Sequence, residues 1–282
     1  MAEITEVVEV PGAPYGVTLG PDGALWFTLV AQGAIGRYSD GDVRTHSLPQ
    51  ADGHPTVIVP GPGEALWFTE YQGDRLGRIA TDGTVTSVPA RGPYGACTGP
   101  DGALWFTELA AGRVCRLGAD GSVTGVAVDG MPSMITAGSD GALWFTVNQG
   151  NAVGRVDLDL KLTVHPLPTP AAAPVGIAAG PDGALWFTEI GAGAIGRITI
   201  DGHVTEFALP DRDARPHAIV SGPDGALWFT EWGSGALGRL STDGQFDHLS
   251  LPGAEPHGLT VDAVGQLWVA MESGALVRVS PR

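Results

Sequence analysis

The chain has 282 residues, 43% of them hydrophobic, and a net charge of −16 with Lys161 as its single lysine. That balance excludes a nucleic-acid binder, which needs Lys/Arg patches to neutralise phosphates, and it opposes contact with anionic membranes. No apolar run approaches the roughly 18 residues of a membrane span, and the opening Met1-Ala2-Glu3 begins neither a basic segment nor an apolar leader core, so a soluble cytoplasmic protein is expected.

In chain order, residues 4–8 (Ile-Thr-Glu-Val-Val) read as a short strand. A repeat then begins with Pro14, Trp26 and Arg37. Tryptophans recur at Trp67, Trp105, Trp144, Trp186, Trp228 and Trp268, each with a proline twelve residues earlier: Pro55, Pro93, Pro132, Pro174, Pro216 and Pro256. Arginine follows eleven residues later at Arg78, Arg116, Arg155, Arg197 and Arg239; the last, Arg278, comes one residue early. The Trp spacing runs from 38 (Trp67 to Trp105) to 42 (Trp144 to Trp186).

Each unit holds four strand-sized segments. In the sixth, residues 217–220 read as an inner strand, 222–225 (Gly-Pro-Asp-Gly) as a tight turn, and 226–230 as a second strand. A Gly-rich loop (231–236) leads to a third strand at 237–240, and an outer strand follows at 245–251. Four strands at a period of about 40 mark a β-propeller blade. The last unit stops after its third strand, near Val279, while residues 4–8 match the outer strand at 204–208. The sequence therefore predicts a single all-β domain over 1–282, a seven-bladed β-propeller whose last blade the N-terminal strand completes.

The repeated residues read as scaffold: Trp packing between blades, Arg bonding backbone or acids. The Glu three residues after Trp (Glu70, Glu108, Glu189, Glu231) belongs with them. Cys97 and Cys115 lack metal or redox spacing and read as free thiols.

Departures from the repeat point to function. The residue after each proline, expected to ring the channel mouth, reads Tyr15, Thr56, Tyr94, Ser133, Val175, His217 and His257. In the last unit a carboxylate, Glu255, lies two residues before His257, an i, i+2 spacing that puts both on one face of a strand. That unit also carries its acid, Glu272, four residues after Trp instead of three. Two carboxylates and an imidazole at a channel mouth suit a hard divalent cation beside a general base.

These residues resemble a known family. Glu255-Pro256-His257-Gly258 and Leu267-Trp268-Val269-Ala270-Met271-Glu272, with Arg215-Pro216-His217-Ala218-Ile219 one unit earlier and Pro14-Tyr15-Gly16 near the start, are similar to the virginiamycin B lyases (streptogramin lyases) along the whole chain. The resemblance implies a monomeric Mg²⁺-dependent carbon–oxygen lyase. Its substrate is a type B streptogramin, a cyclic depsipeptide antibiotic whose ring ester is opened by elimination. It further implies that His257 is the general base, that Glu255 and Glu272 hold Mg²⁺, and that His217 and Tyr15 contact substrate. Leu29 and Val147, which replace the repeat's Glu, and His54 and Thr56 are expected on the surface that a large ligand covers. A metal-dependent propeller lactonase and a non-catalytic interaction scaffold remain as alternatives.

Overall fold

A computed structural model describes residues 2–281. It contains seven four-stranded antiparallel sheets, six of them built from consecutive strands. The seventh joins Pro256–Val261, Leu267–Met271 and Ala275–Ser280 to the N-terminal strand Glu3–Glu9, which pairs with Ala275–Ser280. Among the described residues the one helical segment is a three-residue turn, Ala51–Gly53.

The repeat sets the packing. Each core cluster draws on two neighbouring blades: Trp26 of blade one packs with Ile58, Leu66 and Phe68 of blade two, and Trp186 of blade five with Ile219, Leu227 and Phe229 of blade six. A large apolar ring between sheets removes water from both faces at once. In five blades the turn aspartate ties Trp and Arg together. In blade one Asp22 Oδ1 accepts from Trp26 Nε1 at 3.0 Å, and Asp22 Oδ2 accepts from Arg37 Nε at 2.8 Å. The guanidinium then lies 5.7 Å from the Trp26 ring centroid. Blade two has no aspartate in this turn, and Arg78 donates to the Gly63 carbonyl.

Every inner strand carries a bulge just after its proline. In blade seven Pro256 pairs with Met271, and the next pair is Leu259 with Val269, so three steps on one strand face two on the other. A bulge re-aims side chains locally. Here it re-aims the residues after the proline, five of which line the channel. Leu29 and Val147 correct the sequence reading: both are fully buried in the inter-blade cores, not on a ligand-facing surface. They replace a buried acid with apolar packing.

Candidate active site

Where the inner strands converge, Tyr15, Tyr94, Val175, His217 and His257 line the central channel, around a cavity of about 310 Å³. Thr56 and Ser133 do not line it. Thr56 Oγ1 is spent on Thr69 Oγ1 at 3.0 Å, and Ser133 is buried; Val57 and Met134 face the cavity in their place.

The polar ring residues form one cluster drawn from four blades. Tyr15 Oη lies 3.3 Å from both Tyr94 Oη and His217 Nε2. The His257 ring stacks on Tyr15 at 4.4 Å and meets His217 edge-on at 5.2 Å. His257 Nδ1 is buried without a partner, and its Nε2 donates to the Glu272 carboxylate at 2.8 Å. His217 Nε2 and Tyr15 Oη share a hydrogen bond whose direction follows the ring tautomer.

Two carboxylates complete the group. Ligand atoms of Glu255, His257 and Glu272 all lie within 4.8 Å of one another. The reason for the convergence differs from the one read in the sequence. Glu255 is not on the strand, which begins at Pro256; it takes a left-handed backbone with φ 57°, so strand alternation does not apply. Its carbonyl accepts from Glu272 N at 3.0 Å, and this main-chain bond brings the two acids together. The frame shift at Glu272 is real. Met271 pairs with Pro256 where Glu231 pairs with Pro216. Met271 is buried in the core, and the acid moves one residue outward to a side chain 40% exposed.

Electrostatics separates the roles. Burial pushes the His217 imidazole down to about 3, with the neighbouring His257 charge adding to it, so His217 stays neutral. Burial pushes the Tyr15 phenol well above its ordinary value, helped by Tyr94 and by the negative charge of Glu272; Tyr15 stays a phenol. His257 is also lowered by burial, but Glu272 and Glu255 oppose the shift. It is the one ring in the cluster that two carboxylates equip to take up a proton.

Trp232, the eighth tryptophan and the one outside the repeat, occupies in blade six the place Glu272 holds in blade seven: its amide donates to the Arg215 carbonyl at 3.2 Å. Its ring lies 6.0 Å from His257, and the Arg215 guanidinium stands 5.2 Å over it. With Glu255 these two residues line a groove beside the mouth. The sequence reading passed over Trp232, although its position outside the repeat was the signal.

The donor set fits a hard cation. Mg²⁺ takes oxygen ligands, often one or two carboxylates with the remaining positions left to water, and Glu255 is exposed to solvent.

Comparison with known proteins identifies the family. The profile of the Virginiamycin B lyase family matches residues 1–279. A virginiamycin B lyase of Nocardia farcinica is 55% identical over 177 residues, 63% of this chain and 63% of that protein, so the match spans less than two thirds of the relative's length. The crystal structure of selenomethionine-substituted virginiamycin B lyase from Staphylococcus aureus superposes with a TM-score of 0.95 at 36% identity, covering 100% of both chains. A catalytically inactive histidine-to-alanine variant of the Staphylococcus aureus lyase, crystallised with quinupristin, superposes with a TM-score of 0.92 at 36% identity over 100% of this chain and 99% of that one. The seven-bladed propeller described here belongs to the Virginiamycin B lyase family.

Proposed function

We propose that the protein opens the ring of type B streptogramins by elimination at the ester bond, with Mg²⁺ held by Glu255 and Glu272. The observation that carries this reading is the meeting of Glu255, His257 and Glu272 within 4.8 Å at the channel mouth. The Staphylococcus aureus lyase crystallised with quinupristin supports the substrate class.

His257 is the base. The neutral ring takes the proton from the α-carbon of the residue that carries the ester oxygen on its β-carbon, and Glu272 and Glu255 stabilise the charge it then carries. The electron pair released forms the Cα–Cβ double bond, the Cβ–O bond breaks, and the ester leaves as a carboxylate, so no atom of water enters. A proton next to a carbonyl is far too weakly acidic for an imidazole of ordinary pKa, about 6.5. Mg²⁺, when bound, supplies the positive charge that polarises the substrate carbonyl and stabilises the negative charge developing there. Neutral His217 and the Tyr15 phenol offer hydrogen bonds without competing for the proton, and the Trp232 face offers an apolar wall to a bulky macrocycle.

Mass spectrometry of quinupristin incubated with the protein and Mg²⁺ tests the reading. The expected product is an opened ring of unchanged mass. A product heavier by one water overturns elimination and points to a lactonase; intact quinupristin overturns the activity.

A further inference from the structure

In three blades a second ring covers the tryptophan of the repeat. The row that runs from Thr28 through Ile35 ends on the outer strand at His46, and its counterparts in the next four blades are Val88, Val126, His165 and Phe207. The three rings lie nearly parallel to their tryptophans: His46 to Trp26 at 5.6 Å and 20°, His165 to Trp144 at 5.7 Å and 17°, Phe207 to Trp186 at 5.4 Å and 22°. Each also abuts a glycine in the outer turn of the next blade. A Cβ on Gly83 would stand 2.6 Å from His46, one on Gly202 2.6 Å from His165, and one on Gly244 3.3 Å from Phe207.

Blade two lacks this ring. Val88 stands in its place, and the glycine across the seam is Gly121, where an added Cβ would meet nothing within 4 Å. Val126 in blade three is as small, but there the next turn supplies Leu160, which packs into the cluster of Trp105. A second cover is missing from blade two as well. Arg78 donates to the Gly63 carbonyl, whereas Arg37, Arg155 and Arg197 stand 5.7–6.0 Å from their tryptophan rings. Trp67 is 8% exposed, against 0% for Trp26, Trp105, Trp144 and Trp186. What remains is a cleft of about 500 Å³, lined by Trp67 and Val88 on one side and by Leu117, Gly121 and the Asp101–Arg116 ion pair on the other. It lies at the end of the blades away from the channel mouth: Pro55 pairs with Glu70 at the mouth, and Gly61 with Ala65 at the cleft.

We propose that this cleft binds a small planar aromatic molecule, stacked on Trp67 in the place that His46, His165 and Phe207 fill in their own blades. A mostly apolar pocket of this size with a few polar groups is what small ligands occupy, and a ring stacked on tryptophan gains more than its buried area alone. Arg116 gives Nε to Asp101 at 2.6 Å and has further N–H groups for an acceptor on the edge of the ligand ring. The site is independent of the streptogramin reading, since the cleft and the channel share no lining residue.

Indole and cyclohexanol, titrated by calorimetry into wild type and Val88→Phe, test the proposal. Wild type is expected to bind indole with a Kd of about 1 mM or tighter, ordinary for so small a ligand. Cyclohexanol, whose ring is puckered, is expected to bind about tenfold more weakly. Val88→Phe supplies the ring that three other blades carry. It is expected to weaken indole binding about tenfold or more and to melt about 2–4 °C higher, as a filled cleft does. Equal indole binding by wild type and Val88→Phe, cyclohexanol bound as tightly as indole, or no saturation of wild type by about 10 mM indole overturns the proposal. Should Val88→Phe not fold, Val88→His makes the same comparison, since His46 and His165 already fill this place.

Discussion

At His257, burial and charge pull in opposite directions. Burial favours the neutral ring, while Glu272 and Glu255 favour the charged one. A proton acceptor needs both: neutral before the reaction, and stabilised once it holds the proton. Replacing the ring removes the base and widens the channel it lines, leaving the inter-blade clusters intact. His257→Ala is therefore expected to lower kcat by about 10²- to 10⁴-fold, the usual contribution of a positioned general base, with a melting temperature close to wild type. Turnover within twofold of wild type in that variant removes His257 from the mechanism. Much of this site was legible residue by residue. Glu255, His257 and Glu272 stood out because they break a repeat that is otherwise regular. The way they meet was not legible. A left-handed backbone at Glu255 and a main-chain bond to Glu272 leave no pattern in side-chain spacing.

The strand-level logic explains both the successes and the misses of the sequence reading. Tryptophan every 38 to 42 residues marks the blades because each sheet needs one large ring against its neighbour. The Leu-Trp-Phe-Thr run shows which segment is the second strand, but not that its threonine crosses the seam, as where Thr28 donates to the Thr56 carbonyl at 2.7 Å. That role depends on a bulge that no residue type announces. The Glu of the repeat is scaffold with unequal surroundings. Glu70 and Glu108 pair with Arg75 and Arg113. Glu189 has Ala194 opposite it instead and is fully buried, with the Glu206 carboxyl beside it. Burial, and then the charge of Glu206, pushes its carboxyl from 4.5 up to about 8. The folded protein thus holds a proton between those values that the unfolded chain has released. Stability must fall as pH rises from about 4.5, and this fall is complete once pH passes about 8. Glu189→Gln removes the titration. Thermal melts from pH 5 to 9 are expected to show the variant gaining on wild type as pH rises. A constant difference across that range contradicts the assignment.

At the scale of the whole ring, the first and last strands share one blade. Glu3–Glu9 pairs with Ala275–Ser280, Ile4 packs into the cluster around Met271 and Val277, and Val8 into the one around Trp268 and Leu276. The blade that carries the two acids and the base is therefore the blade that closes the circle, and ring closure and site geometry are coupled. Removing residues 1–9 exposes an unpaired edge on the outer side of the blade that carries the site. It is expected to lower the melting temperature by about 10 °C, the consequence of losing several buried side chains, and to weaken Mg²⁺ binding as well. The prediction fails if the truncated protein melts with wild type.

The most direct test of the centre is calorimetric titration with Mg²⁺ of the wild type and of Glu255→Gln/Glu272→Gln. One ion is expected to bind the wild type, with its heat lost in the double variant. Equal binding by both proteins, or none by the wild type with quinupristin present, contradicts a cation site built by these two acids.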